Sequence, residues 1–120
     1  MARKARFPSR TGYYHVMVAG NNREHIFSSN IDKEFYLLNL KDSMTNHNVD
    51  LAAWCMLINN AHFLFKTSLD SLSQLMREVN TRYAILYNKK YDRLGHVFRG
   101  RFKCVNVEEE SFLLGVVKYI

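Results

Sequence analysis

Asn59-Asn60-Ala61-His62-Phe63-Leu64-Phe65 reads as a short β-strand whose two faces differ in chemistry. Successive side chains of a strand point to opposite faces, so Ala61, Phe63 and Phe65 share one side while Asn60 and His62 share the other. Two polar side chains side by side on one sheet face can hold a divalent metal. An amide oxygen such as that of Asn60 is an acceptable ligand for a hard cation like Mg²⁺ and a poor partner for Zn²⁺. A lone strand histidine is also read as a surface or hydrogen-bonded residue, and His15, His25, His47 and His96 show no ligand spacing with one another.

Outward from this strand the pattern alternates between sheet and helix. Residues 13–19 are aromatic and β-branched and predict a first strand, broken by Gly20-Asn21-Asn22-Arg23. Residues 31 to 47 carry Phe35, Leu38, Met44 and their neighbours at helical spacing, with Ser29 or Asn30 as cap. A second strand is expected over residues 49–57, before the quoted one. A second helix then carries Leu72, Leu75, Met76, Val79, Tyr83 and Leu86, capped from residues 68–70. Asn88 to Gly95 reads as a basic loop, residues 96–107 as one or two strands, and Glu108-Glu109-Glu110 as the start of a last helix, where acids suit the positive end of the dipole. The order β-α-β-β-α-β-α predicts an α+β fold. Helices pack on one face of an antiparallel, ferredoxin-like sheet, leaving the other face for a site.

The chain has 120 residues, 48% of them apolar, enough for one domain with a core of its own. No run approaches the roughly 18 to 20 apolar residues of a membrane span, and the basic N-terminus leads to no apolar signal region. Cys55 and Cys104 lie far apart and in no C-x-x-C pair, which points to reduced thiols in the cytoplasm and excludes a zinc knuckle. Seventeen Lys and Arg against eleven acids give a net charge of +6 and an isoelectric point near 9.5. The charge is gathered in patches, at Arg3 to Arg10 and again from Lys89 to Lys103, as in proteins that meet nucleic acid.

The second patch mixes Lys89, Lys90, Arg93, Arg99, Arg101 and Lys103 with Tyr87, Tyr91, Phe98 and Phe102. Cations meet phosphates and aromatic faces stack on unpaired bases, so the mixture suits single-stranded or hairpin nucleic acid; a half-exposed strand gives a similar pattern. Near the end, Phe112, Leu113, Val116, Val117 and Ile120 form an apolar helical stripe with Tyr119 on its flank. Tyr119 reads either as a residue at the core boundary with a wet hydroxyl, or as a nucleophile toward a metal-bound phosphate.

Trp54-Cys55-Met56-Leu57-Ile58-Asn59-Asn60-Ala61-His62-Phe63-Leu64, Tyr87-Asn88, Gly95-His96-Val97-Phe98-Arg99-Gly100-Arg101-Phe102-Lys103 and Lys118-Tyr119-Ile120 together resemble the motifs of the single-tyrosine HUH transposases. The resemblance is to the branch with the REP-associated tyrosine transposases and runs from Tyr13 onward. It implies a catalytic domain, dimeric, that nicks single-stranded DNA beside a hairpin. Tyr119 would form a 5′-phosphotyrosine link and leave a free 3′-hydroxyl, with His62 and the Asn60 position as ligands of Mg²⁺ or Mn²⁺. Two departures stand out. Asn60 replaces the first histidine of H-x-H, and the elements that follow the tyrosine helix in this family would lie beyond Ile120. Residues 1–120 are therefore expected to be one transposase-like domain, incomplete at its C-terminus, with weak or absent cleavage by this polypeptide alone. The alternative is an inactive nucleic-acid-binding module of the same descent. An RNA-binding ferredoxin-like domain ranks last, because the spaced aromatics of an RNA recognition module are missing.

Overall fold

The computed structural model describes residues 6–109 and 113–120. Arg3 and Lys4 of the N-terminal basic run, and Glu110 and Phe112 of the expected last helix, lie outside the described residues. Strand β1 (Tyr13–Ala19) is followed by helix α1 (Asn30–Met44), the hairpin of β2 (Asp50–Met56) and β3 (Asn60–Lys66), helix α2 (Leu69–Lys90), β4 (Lys103–Val107) and a short α3 (Leu113–Tyr119). The strands form one sheet in the order β2-β3-β1-β4, and every neighbouring pair is antiparallel. This is the split βαβ arrangement of the ferredoxin-like α+β fold.

Both long helices start where a serine supplies the missing acceptor. Ser29 Oγ accepts from Asp32 N and Ser68 Oγ from Ser71 N, each satisfying one of the unpaired amides of a first turn. α1 and α2 pack on the face that carries Tyr14, Val16, Val18, Ala61, Phe63 and Phe65, all buried. Rings dominate this core. Tyr36 stacks on Phe63 at 5.8 Å and meets Phe27 edge-on at 5.2 Å and Tyr83 at 5.3 Å. Each fully buried large side chain contributes about 1.5–3 kcal/mol through the area it removes from water.

Four expectations shift. α1 turns Asp32, Tyr36, Leu40 and Ser43 inward and leaves Phe35 and Leu38 exposed, because only the Tyr36 stripe places a ring against Phe63 and a hydroxyl 2.7 Å from Asn80 Oδ1. Asn88, Lys89 and Lys90 form the last turn of α2 instead of a loop, and Lys90 is held there by Asp32 at 2.7 Å. The strand expected over residues 96–107 is confined to Lys103–Val107. Ahead of it only Phe98 bridges to Gly20, and Arg99 N donates to Ala19 O. Glu108 and Glu109 lie before the last helix, and Glu108 faces Arg10 at 3.8 Å. No helix of the described residues is long and apolar enough to cross a membrane. Both cysteines are free thiols, and burial pushes that of Cys104 up.

Candidate functional site

Strand pairing decides which side chains share the sheet face away from α1 and α2. Residues directly opposite one another in an antiparallel ladder project to the same side. In the register, Met17 faces His62, His15 faces Leu64 and Ala19 faces Asn60 across β1 and β3. Cys55 faces His62 from β2, while Val105 faces His15 and Lys103 faces Met17 from β4. This face therefore gathers His15, Asn60, His62, Cys55 and Lys103.

His15 and His62 are diagonal neighbours on the two central strands, close enough for side chains to meet. His15 Nε2 lies 3.1 Å from His62 Nδ1. The ring centroids are 5.3 Å apart, longer than the N···N distance by nearly the two ring radii, so the nitrogens point at each other. α3 brings Tyr119 to the same place. Its ring centroid is 5.6 Å from that of His15 and 5.7 Å from that of His62, edge-on to both. Tyr119 is 71% exposed, which discards the reading of a ring buried at the core boundary. Three rings thus meet on one face from positions far apart in sequence.

Electrostatics keep the pair neutral. Burial lowers the pKa of His62, and burial followed by repulsion from His62 lowers that of His15. Neutral imidazole is the form that ligates a metal or accepts a proton. If His62 Nδ1 carries the hydrogen and donates to His15, its Nε2 keeps a lone pair for a ligand.

Asn60 stands two residues from His62 on this face. Its Nδ2 donates to Asn59 Oδ1 at 2.7 Å, while its own Oδ1 is buried with no hydrogen-bond partner. A buried orphan oxygen carries a desolvation cost of about 1–3 kcal/mol. An oxygen donor beside an imidazole suits Mg²⁺ or Mn²⁺, with further positions left to water and phosphate. Among the described residues, no group of three or more His, Cys, Asp or Glu could hold a metal ion. The donor set thus fits an open, partly hydrated cation and no closed structural site.

The six basic residues singled out in the sequence divide. Lys90 is paired with Asp32, and Arg93 is bound to Glu24 at 2.7 Å and to Asn88 Oδ1 at 2.6 Å, so both tie elements together. Lys89, Arg99, Arg101 and Lys103 are exposed, and no ion pair engages them among the described residues. Sequence reasoning missed His15. The signal was its place on the polar side of an alternating strand, but the match to His62 depends on the β1–β3 register, which spacing along the chain does not encode.

A family model described as "Transposase IS200 like" matches residues 9–120. Among solved structures, a REP-associated tyrosine transposase bound to a REP hairpin superposes with a TM-score of 0.78 at 16% identity, covering 100% of this chain and 70% of that one. A protein named as a candidate transposase from Deinococcus radiodurans R1 superposes with a TM-score of 0.64 at 17% identity, covering 99% of this chain and 93% of that one. No curated protein sequence matches the chain.

Proposed function

The chain belongs to the IS200-like transposase family, and from that premise we propose that it cuts and rejoins single-stranded or hairpin DNA through a phosphotyrosine formed on Tyr119. The observation that carries this reading is the meeting of Tyr119 with His15 and His62 on one sheet face. The DNA class follows the relative bound to a REP hairpin, and the exposed cations Lys89, Arg99, Arg101 and Lys103 supply the charge to hold it.

In this reading Tyr119 Oη attacks the scissile phosphorus and the bond from phosphorus to the 3′-oxygen breaks. The strand is left as a 5′-phosphotyrosine ester and a free 3′-hydroxyl, which takes up a proton, and the phenolic proton leaves to the solvent that surrounds the exposed ring. Rejoining is the reverse attack by a 3′-hydroxyl. His62 and Asn60 would hold a divalent cation, Mg²⁺ or Mn²⁺, which supplies charge to offset the phosphate when bound. His15 holds the His62 ring and its tautomer. Residues 1–120 act as one domain, paired as a homodimer.

The replacement of the first H-x-H histidine by Asn60 favours a second reading, an inactive module that binds such DNA without cutting it. Incubation with single-stranded hairpin DNA and Mn²⁺ separates the two. A covalent adduct that Tyr119→Phe abolishes establishes the enzyme. Its absence from the wild type together with its appearance in Asn60→His marks a lapsed enzyme. Salt-sensitive binding with no adduct from either protein leaves the binding module, and failure to bind any such DNA removes both.

A further inference from the structure

Helix α1 is apolar on both of its sides. Asp32, Tyr36, Leu40 and Ser43 are buried toward the sheet, whereas Ile31, Phe35 and Leu38 are exposed to water. Ile31 is 68% exposed and Leu38 62%, the reverse of the polar outer side that a surface helix carries. Their spacing of four and then three residues is that of a coiled-coil seam, so the three form one row along the helix. Beside the row lies a depression of about 210 Å³, walled by Ile31 and Phe35 from α1 and by Leu86 and Tyr87 from α2. It is smaller than the sites that take whole small-molecule ligands and suits one large side chain. The charges in its lining, Asp32 and Lys90, neutralise each other at 2.7 Å, which leaves an apolar hole.

Glu34 and Lys41 stand two helical turns apart and therefore share one flank of the row. Both are exposed, and no ion pair engages either among the described residues. The row thus carries a knob at Leu38, a hole beside Phe35 and two opposite charges on one flank. A two-fold axis set across the row matches each of these to its complement. The second α1 then runs antiparallel to the first, and Leu38 of each copy packs on Phe35 of the other and enters the hole beside it. Glu34 of each copy comes beside Lys41 of the other, within about 3 Å along the axis. A surface complementary to itself in both shape and charge singles out a second copy over an unrelated partner.

We propose that the outer side of α1 is the pairing surface of a symmetric homodimer, with Leu38 as the anchor in each direction and the Glu34–Lys41 pairs fixing the antiparallel sense. It rests on the homodimer of the functional reading and names the face that pairs. α1 packs on the sheet face that carries Tyr14, Val16 and Phe63, opposite the one that gathers His15, His62 and Tyr119. This pairing leaves the latter face open in both copies, and each Tyr119 stays with the histidines of its own chain.

Sedimentation velocity over a range of concentrations, on protein without DNA, tests this. Wild type should show a reversible equilibrium between monomer and dimer. Leu38→Glu, which carries a charge into the hole, should raise the dimer dissociation constant at least about 30-fold. Its circular dichroism and the melting of dilute monomer should stay those of wild type, since Leu38 is exposed. Glu34→Lys and Lys41→Glu should each raise the constant about 5- to 30-fold, because each sets two like-charged pairs across the axis. Mixed in equal amounts, these two variants should pair with each other as tightly as wild type pairs with itself, a rescue that local destabilisation of α1 does not give. Failure of the mixture to pair overturns the proposal. A wild-type dimer that ignores Leu38→Glu also overturns it and moves the homodimer to another surface. A wild type that stays monomeric at every concentration removes the proposal and the homodimer together, and leaves the DNA reading untouched.

Discussion

His15 Nε2 faces His62 Nδ1 at 3.1 Å, and a single hydrogen between them sets the tautomer of both rings. His62 can present a lone pair at Nε2 only when it donates from Nδ1 and His15 accepts. His15→Ala should therefore lower the affinity for Mn²⁺ by about 10- to 100-fold, the usual effect of losing the partner that orients a ligating histidine. His15→Gln, which keeps an acceptor, should recover part of it. Mn²⁺ titration followed by electron paramagnetic resonance measures both without reference to cleavage.

Asn60 makes an opposite pair of predictions. Removing its orphaned oxygen in Asn60→Ala relieves a buried unsatisfied acceptor and costs one hydrogen bond to Asn59. The metal-free variant should stay within about 1 kcal/mol of wild type or exceed it, while lacking the rise in melting temperature that Mn²⁺ is expected to give the wild type. Asn60→His should enlarge that rise. Paired thermal melts with and without Mn²⁺ decide the matter, and an Asn60→Ala protein that responds like wild type would refute a role in metal binding.

Asp32 ties the start of α1 to the end of α2. Burial alone would raise its pKa, but hydrogen bonds with Lys90, Tyr91 and Ser29 and the charge of Lys90 outweigh that and hold it below the ordinary 3.8. The folded protein then binds fewer protons than the unfolded chain. Stability from Asp32 is full above the unfolded value and is lost as pH falls through the lower folded one. Asp32→Asn should destabilise the protein by about 1–2 kcal/mol at neutral pH, and by progressively less below about pH 4. Urea unfolding across that range measures the convergence.

Gly20 tolerates no side chain. A Cβ there would sit 2.3 Å from Glu24 O, a backbone atom, and 3.2 Å from an Ile26 methyl carbon. Its amide donates to Asn59 O at 2.8 Å, so the same turn holds the entrance to β3. Gly20→Ala should cost about 1–3 kcal/mol and lower the melting temperature by several degrees. It should also weaken Mn²⁺ binding through the displaced Asn60 strand.

The first three strands and the starts of α1 and α2 were legible because each rests on local chemistry: alternation from Tyr13 to Ala19, and the serines ahead of α1 and α2. The inward face of α1 was not, since Phe35 and Tyr36 are equally plausible core residues until Phe63 and Asn80 choose between them. His62 and Asn60 stood out as neighbours in one strand, whereas His15 waited on a pairing 47 positions away. Arg77 and Asn80 lie off the apolar stripe of Leu72, Leu75, Met76, Val79, Tyr83 and Leu86. Only the path of residues 95–102 beside α2, which no short-range pattern prescribes, turns them toward a groove.

Antiparallel pairing of β1 with β4 has a consequence in time. Residues 13–17 are made long before residues 103–107, with which they pair, and Ser9 bonds to Val107 O across 98 positions. During synthesis β1, β3 and β2 can assemble early, leaving one rim of β1 with unpaired amides and carbonyls until residues 103–107 have been made. An exposed rim of that kind recruits other strands, and contacts at such separation slow folding. Lys103–Val107 therefore works as the latch of the nascent protein, and substitutions that delay its docking should lower soluble yield more than they lower the melting temperature of the folded chain.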